Sequence, residues 1–223
     1  MARIFPTLAV WVDPSPRHGP EQMACDEALL QVAEGPVMRV FRWAAPWVSF
    51  GYFGSWNEAT AARPDLPACR RWTGGGVVIH ENDFTFALVA PRSEAWSRLR
   101  PDESYRVLHH AATGALCAAG IDASIFDGRP GGGAECFAGP VRHDVMRGGT
   151  KIAGGAQRRT KRGLLHQGSI QGTGLNADFA EVLAAHLAEE NAPWNVPDGF
   201  ENSVSALVRE KYARENFLRR ELP

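Results

Sequence analysis

Three consecutive glycines inside a β-rich run set the first constraint. Arg70 to Trp72 and Val77 to His80 read as strands, and Thr73-Gly74-Gly75-Gly76 lies between them. Glycine at successive positions removes every side chain that would hold another group away from the backbone. Such a segment is either a tight structural turn or a cradle whose N–H groups receive an anion. Arg71 beside it carries a planar fork suited to carboxylate or phosphate. No Gly-Lys-Ser/Thr follows, so the segment is not a Walker loop. A strand rather than a helix follows, so it is not a dinucleotide fingerprint either.

A second stretch, GGTKIAGGAQRRTKRGLLHQGS over 148–169, raises the same question. Asp144 to Met146 and Lys151 to Ala153 flank Gly148-Gly149 and predict a hairpin, with Leu164 to Ile170 as a further strand. Lys151 precedes Ala153-Gly154-Gly155-Ala156, where bare backbone would let its ammonium reach developing negative charge. The competing reading is a solvated strand lysine. Gln157 and His166 are either polar anchors at a pocket rim or ordinary hydrogen-bonded residues. Arg158, Arg159, Lys161 and Arg162 form a basic cluster, read first as a solvated hairpin tip and second as a docking point for an acidic domain or a phosphate.

The remaining chain supplies helices in separate blocks. Pro20 to Ala33 opens on proline and is followed by Gly35-Pro36. Tyr105, Leu108, Ala112, Leu116 and Ala119 recur at helical steps over Asp102 to Ala119. Asp178 with Glu181 resembles a capping box for a helix carrying Phe179, Leu183 and Leu187, and a last helix is expected over Val204 to Leu218. The N-terminus, Val37 to Trp43, Trp47 to Phe53 and Phe84 to Val89 read as strands, and Glu58 to Ala62 as a short helix. Strands in hairpins with helices in blocks predict an α+β layered domain.

At 223 residues the chain is long enough for one sizeable core. Its net charge of −1 argues against bulk binding of nucleic acid or membrane, and no apolar run approaches a membrane span. Cys25, Cys69, Cys117 and Cys136 lie far apart with no paired spacing, so neither a disulfide framework nor a metal site is expected and a cytoplasmic home is. Cys25, Cys69 and Cys117 read as packing residues. His109-His110 read as core or surface rather than metal ligands, and Trp43, Trp47, Phe50 and Phe53 as sheet core.

Six pieces occur in a fixed order: MACDEALL, WVSFGYF, RRWTGGGVVIH, FTF, TKIAGGAQ and LLHQGS. In this the chain resembles the lipoate-protein ligase and octanoyltransferase family, catalytic relatives of the biotin-protein ligases. The resemblance implies a mixed, largely antiparallel sheet flanked by helices, related to class II aminoacyl-tRNA synthetases. It implies that Arg71, Thr73 and Gly74 to Gly76 line the acyl and phosphate region with His80 just beyond. It further implies that Lys151 contacts the acyl carbonyl, with Gly154, Gly155, Ala156, Gln157 and His166 beside it. The activity implied first is ligation: lipoate or octanoate is activated with ATP and Mg2+ as an acyl-adenylate and passed to a lysine of a lipoyl-domain protein.

Cys136 supports an alternative. One group of octanoyltransferases carries a cysteine in a C-F-x-x-P context ahead of the motif lysine, and ECFAGP here precedes TKIAGG. That implies an acyl thioester on Cys136, taken from an acyl carrier protein or another octanoylated protein. Gly76, Asp144 and FTF resemble the ligases instead. One catalytic domain over 1–223 is expected, without the accessory C-terminal domain of many ligases, so a separate adenylation subunit is a further expectation. A non-catalytic acyl-adenylate sensor is the reading from another class, disfavoured because Lys151 and its motifs are present.

Overall fold

The computed structural model describes residues 3–128 and 139–220. Cys136 therefore lies outside the described residues. The chain opens with β1 (Phe5–Val12), α1 (Gly19–Val32), β2 (Val37–Phe41), β3 (Trp47–Phe50) and α2 (Trp56–Ala62). β4 (Ala68–Arg70), β5 (Val78–His80), β6 (Phe84–Pro91), α3 (Ala95–Arg98) and α4 (Pro101–Ala118) follow. Then come β7 (Ser124–Ile125), β8 (Val145–Arg147), β9 (Thr150–Arg159), β10 (Gly163–Ile170), α5 (Phe179–Leu187) and β11 (Ala188–Pro193). The chain closes with α6 (Phe200–Leu207), a π-helical turn over Val208–Tyr212, and α7 (Glu215–Leu218).

The fold is α+β, with a large, mostly antiparallel sheet in the order β11-β1-β2-β6-β10-β9-β8-β7. Within this sheet, among the described residues, only the β11–β1 and β1–β2 pairs are parallel. Strand alternation gives the sheet two apolar faces. One, with Met38, Phe86, Leu88 and Leu164, packs under α4 and α5. The other, with Val37, Phe41, Ala87, Val89 and Leu165, packs against α1. α1 is buried around most of its circumference because α6 and the π-turn cover it from outside.

Its buried polar residues are partnered, as burial of charge requires. Arg39 of β2 donates to Asp13 at 2.6 Å, to Asp26 at 2.8 Å and to the Gln22 side chain at 2.6 Å. Burial pushes the Asp26 carboxyl above the usual carboxylate range, and the Arg39 guanidinium opposes that shift.

The small sheet has the order β4-β3-β5. Neither flank of the glycine triplet pairs with the other; both pair with β3, β4 parallel and β5 antiparallel. The triplet is a crossover that climbs over β3 rather than a hairpin turn. Gly51 permits the climb, because a Cβ there would overlap the Gly75 carbonyl.

Three other expectations change. Asp178 is itself helical in backbone and makes no capping bond; Asn176 Oδ1 accepts the Asp178 N–H instead, at 3.0 Å. The single last helix is broken into three pieces ending on α7. Arg70 closes that end, donating to the Phe217 and Leu218 carbonyls that a helix terminus leaves unpaired. β11, which the sequence did not reveal, adds the outermost strand beside β1. No helix among the described residues is long and apolar enough to cross a membrane.

Candidate active site

Lys151 enters the site through a defect in a strand. Along β8 and β9, Val145 opposes Ala153 but Met146 opposes Lys151, so β9 carries one extra residue. Such a bulge re-aims the side chain next to it. Lys151 is 6% exposed and lies across Gly154, where a Cβ would sit 2.7 Å from its Cε. Its ammonium meets Asp144 Oδ2 at 2.7 Å, both side chains being nearly inaccessible to solvent. Asp144 also accepts from the Tyr105 hydroxyl at 2.6 Å and the Val141 N–H at 2.7 Å. Tyr105 in turn receives the Gly155 N–H at 3.1 Å. The solvated-lysine reading is thereby set aside: this cation is desolvated, paired and braced against bare backbone.

The glycine triplet is held by side chains rather than left open. Arg71 donates to the Gly74 and Gly76 carbonyls at 3.0 and 2.8 Å and to Ser49 Oγ at 2.7 Å. Its fork spans the crossover and fixes Gly75 at φ +87°, where a side chain is strained. Thr73 donates to the Gln167 side chain at 2.7 Å, and Gln167 donates to Asp26 at 2.7 Å. The crossover is thus tied to the buried Asp26 carboxylate of α1.

Between these parts runs a narrow slot. Met23, Phe41, Trp43 and Val78 form its apolar wall, and Gly154, Gly155 and Ala156 form its floor near Lys151. Arg71 and His80 also line it. His80 is buried, stacks on Trp43 with ring centroids 4.1 Å apart, and bonds Asp83 and Ser49.

Not every expected site residue converges here. Strand alternation sends Gln157 and His166 to the opposite face, under α4, where they lie 3.4 Å apart and Gln157 accepts from Ser104. His166 packs between Phe86, Tyr105 and His109 and closes against Gly155. Burial holds both histidines neutral, with His109 lowered to about 4.

Arg158 is not a solvated tip. Its guanidinium lies between the Tyr52 and Trp72 rings at 5.0 and 5.2 Å, and its buried Nε has no partner among the described residues. Arg159 is likewise anchored, on the Ser97 carbonyl at 2.9 Å, whereas Lys161 and Arg162 are exposed. Phe53 is 74% exposed and Cys117 is exposed, so neither is a core residue. Cys25 and Cys69 are buried, and burial pushes both thiols up to about 12, which removes them as nucleophiles at neutral pH.

Ser49, Asp83 and Gln167 were missed as site residues. The His80-to-Asp83 spacing and the alternation Leu165, Gln167, Ser169 were available signals. The latter puts Gln167 on the slot face and His166 behind it.

The model of the lipoyl protein ligase A/B catalytic domain matches residues 18–217, and the chain belongs to that family. The octanoyltransferase LipM of Moorella thermoacetica is 37% identical over 172 residues, covering 70% of this chain and 62% of that protein. LipM of Carboxydothermus hydrogenoformans is 32% identical over 170 residues, covering 72% and 63%. The chain thus spans about three fifths of the length of these curated relatives. Among solved structures, a lipoate-protein ligase A bound with ATP superposes with a TM-score of 0.77 at 21% identity, covering 96% and 99% of the two chains. A bi-partite lipoate protein ligase from Thermoplasma acidophilum, studied with its E2 lipoyl domain, gives 0.73 at 19% identity, covering 100% and 98%. At such identities the likeness concerns the fold.

Proposed function

We propose that this chain transfers an octanoyl or lipoyl group from a thioester donor to a lysine of a lipoyl domain, with Cys136 as the intermediate carrier. The observation that carries the reading is the buried Lys151–Asp144 pair set against Gly154, a residue that also lines the apolar slot. In this reading the slot takes the acyl chain and Lys151 supplies positive charge where the carbonyl oxygen becomes an oxyanion. The Cys136 thiolate attacks the donor carbonyl, a C–S bond forms, and the donor thiolate leaves and takes up a proton. The acceptor amine then attacks the new thioester, forming the amide, and the Cys136 sulfur departs while the amine gives up a proton.

One comparison favours thioester transfer over the acyl-adenylate route expected first from the sequence. The curated relatives bear the name octanoyltransferase. The ATP-bound neighbour supports the fold but, at 21% identity, not ATP use by this chain. The archaeal ligase paired with its E2 lipoyl domain supports a lipoyl domain as acceptor.

One assay tests the reading. Apo lipoyl domain is incubated either with octanoyl carrier protein alone or with octanoate and ATP-Mg, and product mass is followed. Product in the first reaction, lost in Cys136→Ala, is expected. Product only in the second reaction restores the adenylate route. Absence of product in both, with tight binding of octanoyl-adenylate, restores the sensor.

A further inference from the structure

A second set of reactive side chains lies on the same slot and has no part in the transfer chemistry above. Ser49 Oγ is 2.7 Å from His80 Nε2, and His80 Nδ1 is 2.7 Å from Asp83 Oδ2. The serine comes from β3, the histidine from β5, and the aspartate from the turn into β6. Asp83 also accepts from Thr85 Oγ1 at 3.0 Å and from Ser169 Oγ at 2.6 Å, so its carboxylate is fixed in place. An ionised carboxylate only accepts, which assigns the proton to His80 Nδ1 and leaves Nε2 to accept from the Ser49 hydroxyl. That is the tautomer in which a histidine can remove a serine proton.

Two further features bear on reactivity. The stack on Trp43 at 4.1 Å holds the imidazole plane, so its two hydrogen bonds cannot exchange by ring rotation. Arg71 donates to Ser49 Oγ from the other side at 2.7 Å, and a cation there favours the alkoxide over the hydroxyl. Ser49 and His80 both line the slot whose wall is Phe41, Trp43 and Val78.

We propose that Ser49, His80 and Asp83 form a second nucleophilic centre that hydrolyses medium-chain acyl thioesters and aryl esters entering the slot. Ser49 Oγ attacks the carbonyl while its proton passes to His80 Nε2. The C–S or C–O bond of the donor breaks, and His80 returns that proton to the leaving thiolate or phenolate. Water, deprotonated by His80, then attacks the Ser49 ester and releases the carboxylic acid and the serine hydroxyl. The net change is thioester plus water to acid plus thiol, with no oxidant or further reactant. Its preference for medium-chain acyl groups rests on the proposed acyl slot, whereas the hydrolysis itself uses neither Cys136 nor a protein acceptor.

The test uses the full chain carrying Cys136→Ala, so that no thiol carrier competes. Octyl fluorophosphonate is added, and the adduct is located by peptide mass. A single adduct on Ser49 is expected, forming at least about a hundredfold more slowly in His80→Ala. Release of p-nitrophenol from p-nitrophenyl octanoate should fall in parallel in Ser49→Ala, a near-isosteric change whose folding is checked by thermal melting. Labelling needs no substitution at the centre itself, so a misfolded variant does not decide the outcome. An unlabelled Ser49, an adduct elsewhere, or unchanged ester hydrolysis in folded Ser49→Ala overturns the proposal. Ser49 would then serve only to brace Arg71, with His80 and Asp83 holding it in place.

Discussion

The Lys151 ammonium and the Asp144 carboxylate meet at 2.7 Å with both side chains withdrawn from water. A buried pair of this kind contributes little net stability, because desolvating both ions offsets their attraction. Its value is positional: it keeps a full positive charge at a fixed point beside Gly154. Removing one partner is the costly change, since it strands the other.

Lys151→Ala should therefore have two separable effects. Acyl transfer should fall at least about a hundredfold, the scale for losing a group that stabilises an oxyanion. Stability should fall by about 3 kcal/mol through the stranded Asp144. The double variant Lys151→Ala/Asp144→Asn should regain most of that stability and none of the activity. Urea unfolding and a lipoyl-domain mass assay together check this.

The adjacent glycines should differ in what they do to turnover. A Cβ at Gly154 meets the far end of the paired Lys151 side chain, 2.7 Å from Cε and 2.9 Å from Nζ. Gly154→Ala should displace the ammonium from Asp144, cutting turnover by about a hundredfold and costing up to about 3 kcal/mol through the broken pair. A Cβ at Gly155 meets the buried His166 ring instead. Gly155→Ala should cost about 1 to 3 kcal/mol by overpacking. Thermal melts and turnover measured on both variants distinguish the two effects.

His109 makes stability pH-dependent. Burial lowers its folded pKa to about 4 from the ordinary 6.5, so the unfolded chain binds the extra proton in that window. Its contribution is complete above pH 6.5 and is lost as pH falls toward 4. Unfolding free energy should drop by about 2 kcal/mol from this residue between pH 8 and pH 5. His109→Asn, which keeps a donor for the His143 carbonyl, should flatten that part of the profile in denaturant titrations.

Two arginines should divide stability from binding. Arg39 is fully buried between Asp13 and Asp26, so Arg39→Leu strands the Asp26 carboxylate, leaves Asp13 with Arg17 alone, and should cost about 3 to 5 kcal/mol. Arg158, held by aromatic rings with its Nε unpartnered among the described residues, faces no such penalty. Arg158→Ala should leave the melting temperature nearly unchanged. It should raise KM for an anionic acyl donor about tenfold, the scale of one charge-assisted contact. Steady-state kinetics with octanoyl carrier protein measure the shift.

Much of the secondary structure was legible because periodicity is a local property. The amphipathic steps of α4 and the branched runs of β2, β6 and β10 carry their own signal. β11 was hidden, since Ala-Glu-Glu-Asn-Ala-Pro has no strand composition and exists only by pairing with β1. The Asp178 cap failed because Asn176 forms the competing Asx turn two residues earlier. At the site, sequence pointed to Arg71, Thr73, the glycines and Lys151, and passed over Ser49, whose partners lie 22 and 31 positions away.

Residue order alone determined the family, the α+β class and the lysine beside bare backbone, because each is written in local spacing and ordered motifs. Tertiary structure decided what those residues touch. It made the glycine triplet, legible only as a turn or a cradle, into a crossover held by Arg71, and sent His166 behind the sheet while Gln167 faces the slot. It also assembled Ser49, His80 and Asp83. The reason is that strand pairing and one β-bulge choose the face of each side chain, and both depend on partners distant in the chain.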